Sequence, residues 1–233
     1  MIFNISSVSL KTPVLNTSYP ANASVTIGNS ITVKVAISEA GYPESYTYQW
    51  YKNGSAVSGA TSSTYTFTPT AIGTTTVYCK VTNAAGTVTS RTATITVNPV
   101  YLYKNGDQCT NVTGGWSVTN QCTVTQEATY MQVYAGTDKA GSAATKNKIN
   151  LANYKTLVFK GYCNKNRDNS ILYVGDTSQS SFNYITKNVA SIQIPQGTAS
   201  VEVRLDISGI TGSYNVGCGA SESTVYCYEM YLE

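Results

Sequence analysis

Apolar and polar residues alternate one for one along much of this chain, and turn-forming Gly, Pro, Asn and Asp interrupt the pattern about every 8 to 12 residues. Successive side chains on a strand point to opposite faces, so each such segment buries one face and wets the other. No window repeats apolar residues at helical spacing over the roughly ten positions that a helix needs. The chain therefore reads as all-β. A short edge strand over Ser24 to Asn29 precedes an inward row of Ile31, Val33, Val35 and Ile37. Tyr46, Tyr48 and Trp50 share the next inward face, and Asn53-Gly54 closes that segment as a type I′ hairpin turn. Ser63 to Thr68 is a strand that Pro69 stops. Val77, Cys79 and Val81 then point inward while Tyr78 and Lys80 point out, and Ala93, Ile95 and Val97 close the set. Trp50 is the expected centre of this core, with Cys79 buried alongside it.

Proline cannot continue a strand ladder, so Asn98-Pro99-Val100 reads as a short linker between two domains, 1–98 and 99–233. The second domain predicts strands at Thr129 to Ala135, Lys148 to Asn150, Thr156 to Tyr162, Ser170 to Val174, Ser191 to Ile194, Ser200 to Ile207 and Val225 to Leu232. Leu157, Phe159, Ile192, Ile194, Val201, Val203, Leu205 and Ile207 would fill its core. That many short strands fit a jelly-roll sandwich.

Charge changes the picture by its scarcity. Only 12% of residues are charged, against roughly 25% in an average soluble domain, while tyrosine alone contributes 19. Residues 1–98 carry five of the 15 Lys and Arg and two of the 12 Asp and Glu, leaving ten of each to residues 99–233. Neither half has the basic excess of a nucleic-acid binder. Lys139, Lys146, Lys148, Lys155, Lys160, Lys165 and Arg167 form a run without an acid, best read as solvated strand faces and edges. No window reaches the roughly 18 apolar residues of a membrane span, so no membrane partner is expected. The start, Met1 to Ser7, lacks a basic flank and apolar core, which predicts synthesis in the cytosol without the general secretory route. Six cysteines leave many connectivities open. Spacing favours Cys109 with Cys122 and Cys218 with Cys227, each closing a hairpin or loop, although thiols stay reduced in proteins assembled in a reducing cytosol.

Two resemblances extend this reading. Tyr48-Gln49-Trp50-Tyr51-Lys52-Asn53-Gly54 and Val77-Tyr78-Cys79-Lys80-Val81-Thr82-Asn83-Ala84-Ala85-Gly86-Thr87 resemble the immunoglobulin-like domains of phage virion proteins and Gram-positive surface proteins. Val35 or Ile37 stands where such a domain carries its first cysteine, so Cys79 has no inter-sheet partner; forgoing that bond costs about 2–4 kcal/mol. Val77 replaces the corner tyrosine, so the corner hydrogen bond is either absent or supplied by Tyr78 in a shifted register. The opening Tyr101-Leu102-Tyr103 with Gly106-Asp107, Cys109 and Gly114-Gly115-Trp116, and the closing Tyr226-Cys227-Tyr228-Glu229-Met230-Tyr231-Leu232-Glu233, resemble a module of tail and other virion proteins of phages of Clostridia-like hosts. The strand pattern is similar to that of carbohydrate-binding jelly rolls. Together these imply an immunoglobulin-like β-sandwich followed by a jelly-roll β-sandwich.

Chemistry is sparse. The chain has no histidine and no Cys-x-x-Cys, which removes the commonest general base and the usual zinc site. Glu202 and Asp206 share a strand face, but Arg204 sits between them, so surface ion pairs account for the row. No Gly-x-Ser-x-Gly elbow occurs, and Gly217-Cys218-Gly219-Ala220 precedes no helix that could cradle a phosphate. A binding role has more support. With Met131, Val133 and Ala135 inward, Tyr130, Gln132 and Tyr134 face out together, and aromatics beside an amide stack on a sugar and read its hydroxyls. Trp116 in its Gly-Gly-Trp loop is a second candidate. The competing account makes Trp116 a plug at one end of the sandwich and the tyrosines ordinary cross-strand pairs. Asp107 and Glu229 are candidates for a structural calcium; no other cofactor is expected.

The sequence thus predicts a non-enzymatic phage virion protein, on the tail, a fibre or the capsid surface. Its first domain would be a spacer or docking module and its second the face that meets host glycans or mucus. Its partners would be other virion proteins, in a homo-oligomeric or symmetric assembly. A bacterial surface or secreted adhesion module, and a purely structural virion subunit, are the alternatives.

Overall fold

The structure is a computed structural model and describes residues 9–108, 116–120, 122–137, 139–165, 170–178, 184–185 and 188–233, with Asp107, Gln108, Thr119 and Asn120 described by backbone alone. Every regular element among the described residues is a β-strand, and the chain divides into two compact units, Met1–Asn98 and Pro99–Glu233.

The first unit runs β1 (Val14–Leu15), β2 (Ala23–Thr26), β3 (Ile31–Lys34), β4 (Ile37–Glu39), β5 (Thr47–Lys52), β6 (Ser55–Ala56), β7 (Thr64–Phe67), β8 (Gly73–Asn83), β9 (Gly86–Thr89) and β10 (Ala93–Asn98). The main sheet has the order β2-β10-β8-β5-β6, with β9 also on β8, and β2 alone runs parallel to its neighbour. Strands β3 and β7 pair separately, as do β1 and β4. The expected single row from Ile31 to Ile37 is split, because after Lys34 the chain leaves β7 and turns to β1; Ala36 accepts from the Asn16 amide at 2.8 Å.

Trp50 is fully buried in one cluster with Val35, Val77, Cys79 and Val81. The indole N–H donates to the Ser62 carbonyl at 2.9 Å, which satisfies the one polar atom that burial would otherwise strand. Removing an aromatic of this size from water contributes on the order of 5 kcal/mol. Tyr78 does not serve as a corner residue: it lies outward, stacked on Tyr51 at 4.8 Å. Asn53 and Gly54 have φ of 48° and 81°, the type I′ turn predicted, and Asn105 and Gly106 repeat it at 47° and 87°.

The second unit runs β11 (Val100–Lys104), β12 (Asp107–Gln108), β13 (Trp116–Asn120), β14 (Cys122–Gln126), β15 (Met131–Ala135), β16 (Ala140–Thr145), β17 (Ile149–Asn150), β18 (Thr156–Cys163), β19 (Ile171–Gly175), β20 (Asn188–Gln193), β21 (Val201–Asp206), β22 (Ser213–Ser221) and β23 (Thr224–Leu232). One sheet is built on β23, which pairs with β18 along one side and with β11 and β15 along the other; β21, β12 and β14 extend it. The other has the order β13-β16-β22-β19-β20, with β17 on β22.

Strand β16 has only small residues and β22 turns small after Tyr214 and Val216, so neither shows a full run of large alternating residues, and the sequence reading missed both. Their small residues make room. Ala144, Ile171, Tyr173 and Tyr184 form a core cluster, and a Cβ on Gly219 would lie 2.1 Å from the Tyr184 ring. A Cβ on Gly217 would lie 2.3 Å from the Ala143 carbonyl. The buried phenols are satisfied, Tyr173 with Ser142 at 2.9 Å and Tyr184 on the Ala220 carbonyl at 2.9 Å.

Cys218 and Cys227 are free thiols, which corrects the expected disulfide. Although their strands are consecutive, β22 and β23 belong to different sheets, and no ladder sets the two side by side. Cys218 pairs with Ala143 and Leu172, and Cys227 with Met131 and Gly161. Cys109, the expected partner of Cys122, lies outside the described residues.

Burial pushes the Cys79 thiol up to about 11 and Cys218 up to about 12. At pH 8 both are protonated, so native protein should show no rapid thiol labelling at Cys79, Cys218 or Cys227, and full labelling once unfolded. Fast modification of native Cys79 would contradict its place in the core. Gly219→Ala should destabilise the second unit by about 1–3 kcal/mol in urea unfolding, whereas Gly209→Ala, where an added Cβ meets nothing within 4 Å, should not.

Candidate functional site

Alternation on β15 buries Met131, Val133 and Ala135 and leaves Gln132 and Tyr134 on the opposite face, with Tyr130 immediately before the strand. The ladder then brings distant residues beside them. Gln132 is paired with Tyr226, and Tyr226 in turn with Tyr162 on β18. Between Lys160 and Gly161 the β18–β23 register shifts, and the extra residue on β23 sets both Tyr228 and Glu229 on the outer side. A four-tyrosine group results from positions 130, 162, 226 and 228.

The rings stand against one another. Tyr162 stacks on Tyr226 at 4.7 Å and 21°, Tyr130 meets Tyr226 edge-on at 5.5 Å and 67°, and Tyr228 lies 5.7 Å from Tyr130. All four are half-buried. Partial burial, then the neighbouring phenols Tyr228 and Tyr226 and a hydrogen bond with the Tyr228 hydroxyl, raise the Tyr162 phenol above its ordinary range. Tyr134 is 50% exposed and has no ring neighbour among the described residues.

Below the tyrosines on the same face, Lys160 and Glu229 pair at 3.0 Å, and the hydrogen bond to Glu229 raises the Lys160 ammonium. Arg204 binds Glu202 at 2.8 Å and also Glu233. Asp206, expected in that row, instead accepts from the Ser208 amide at 2.9 Å. Tyr101 and Tyr231 are neighbours at 5.3 Å, with the Lys104 ammonium 4.1 Å above the Tyr101 ring.

Tyr130, Gln132 and Tyr134 therefore lie on one face. Trp116 does not join them: it is half-buried on β13, in the other sheet, and belongs to a strand rather than a loop. Glu229, half of the calcium candidate, is engaged by Lys160; the side chain of Asp107 lies outside the described ones. Among the described residues no three His, Cys, Asp or Glu side chains are grouped as metal ligands. The basic run is dispersed, Lys160 lying on β18 while Lys148, beside β17 of the other sheet, pairs with Asp176 at 2.8 Å; Arg167 lies outside the described residues.

Tyr162, Tyr226 and Tyr228 were not among the sequence candidates. A signal existed in Tyr226-Cys227-Tyr228, where two tyrosines flank a buried cysteine. Nothing in the sequence, however, places residues 64 positions apart, such as Tyr162 and Tyr226, side by side; only the ladder register does.

The sequence matches no known family model and no curated protein. Among solved structures, a mutant of a family 29 carbohydrate binding module is similar at 12% identity, covering 57% of this chain and 89% of that one with a TM-score of 0.39. A carbohydrate-binding module from the β-sandwich superfamily aligns at 15% identity over 96% of this chain and 99% of that one, with a TM-score of 0.38. A quinonprotein alcohol dehydrogenase-like protein from Bacteroides thetaiotaomicron aligns at 15% identity over 57% of this chain and 36% of its own, with a TM-score of 0.31. Overlaps this loose carry no argument about ligand or role, which rest on the geometry of the tyrosine face.

Proposed function

We propose that the second unit is a non-catalytic glycan-binding module that works through the outer face of the sheet built on β23, and that the chain is a phage virion protein. The first unit is then an immunoglobulin-like spacer or docking module. The observation that carries the binding role is the convergence of Tyr130, Gln132, Tyr134, Tyr162, Tyr226 and Tyr228 from three strands onto one solvent-facing surface. Rings and amides in one place offer a sugar both apolar contact and hydrogen bonds.

The immunoglobulin-like reading is supported by strand order. Strands β10, β8 and β5 are neighbours, β3 pairs with β7 outside that sheet, and Trp50 lies across the ladder from Cys79. The virion reading draws on thiol chemistry. Cys79, Cys163, Cys218 and Cys227 are buried and free, which suits a protein that folds and assembles in a reducing cytosol better than a secreted adhesion module.

The purified chain should bind a subset of immobilised glycans, and Tyr130→Ala with Tyr226→Ala should weaken that binding about tenfold or more while leaving thermal unfolding of the first unit unchanged. Mass spectrometry of purified particles should find the chain among the virion proteins. An array with no signal above background, together with unchanged phage adsorption in the Tyr130→Ala and Tyr134→Ala variants, would leave only a structural role.

A further inference from the structure

We infer that the glycan taken by this face is an uncharged chain, that Tyr134 supplies the ring on which a sugar stacks, and that Gln132 with the phenols of Tyr162 and Tyr228 reads its hydroxyls. This rests on the glycan-binding reading above and adds to it a ligand class and a role for each residue.

The division follows from how the rings stand. Tyr162 and Tyr226 spend facing surfaces on each other at 4.7 Å, and Tyr130 spends an edge on Tyr226. What such a group turns to solvent is ring edges and O–H groups. Tyr134 is different: half its surface is exposed, and its hydroxyl extends toward Gly136, 3.6 Å from where a Cβ would stand. Gln132 lies between Tyr130 and Tyr134 on the strand, with Tyr226 as its cross-strand partner. Tyr130 and Tyr134 are four residue steps apart, about 13 Å at ~3.3 Å per step, which is room for more than one sugar ring.

The charges decide the ligand class. Lys160 is paired with Glu229, and Arg204 with Glu202 and Glu233. Lys104 sits on the Tyr101 ring. Lys139 stands exposed at the rim, joined to Glu222 through the backbone alone, the Glu222 amide donating to the Lys139 carbonyl at 2.9 Å. An anionic sugar would have to displace a carboxylate from Lys160 or Arg204 and would lie against Glu229 and Glu202 as it did so. Hydroxyls face no such conflict, since they donate to carboxylates and accept from ammonium groups alike. The unit's ten cations and ten acids give no net field to override this local balance.

The test is an array of neutral and acidic oligosaccharides, the latter carrying uronate, sialate or phosphate, probed with the full chain at about 0.15 M and about 1 M salt. Raising the salt shortens the screening length from about 8 Å to about 3 Å. Signal is expected on neutral chains and should be unchanged by salt. Tyr134→Phe should bind as wild type and Tyr134→Ala about tenfold or more weaker, whereas Tyr162→Phe and Tyr228→Phe should lose discrimination among sugars differing in one hydroxyl. Binding confined to acidic glycans, or lost at high salt, overturns the inference while leaving glycan binding standing. Wild-type affinity in Tyr134→Ala overturns the stacking role. A wild-type chain that binds no glycan overturns both the inference and the reading beneath it.

Discussion

The second unit depends on the pairing of β23 with three other strands. Because side chains alternate strictly along each strand, a single register decides two things at once. It sends Val225, Cys227, Met230 and Leu232 into the core, and it sets Tyr226 beside Tyr162 and Gln132 on the other side. A slip by one residue would bury the phenols and expose the aliphatic groups, so the hydrophobic effect that holds the sandwich together also fixes the tyrosine face. The β-bulge at Lys160 and Gly161 departs from this rule locally. It adds one outward residue, which is why Tyr228 and Glu229 both reach the surface; a Cβ on Gly161 would lie 2.0 Å from the Tyr226 carbonyl.

The first unit was legible because its core residues announce themselves. Trp50, Val77, Cys79, Val81, Ala93 and Ile95 alternate with polar neighbours, and all six are fully buried. The Asn53-Gly54 turn was equally plain, since few other residue pairs accept two consecutive positive φ angles. In the second unit β15, β18, β21 and β23 were legible for the same reason. Strands β16 and β22 were not, because alanine, serine and glycine have little strand propensity of their own, and their place in the sheet is set by the bulk of Tyr173 and Tyr184 pressing on them.

The candidate site was half legible. Tyr130, Gln132 and Tyr134 share a strand, and local alternation was enough to group them. Their partners come from β18 and β23, and no periodicity within one segment reports which strands will be neighbours. Trp116 went astray because a tryptophan after two glycines reads as a loop tip, whereas it pairs in register with Thr145. The disulfide expected between Cys218 and Cys227 does not form either: both are free thiols, on strands of different sheets.

The central position of β23 also sets an order of events during synthesis. The first unit has all its strands by Asn98 and can close while the ribosome is still making the rest. In the second, β11, β15 and β18 wait on their shared neighbour, so no tyrosine of the face has its companions until residues 224–232 have emerged. Until then each has an open edge, β11 for the time it takes to translate about 120 residues, β15 about 90 and β18 about 60, and an open edge is a template for pairing with another chain.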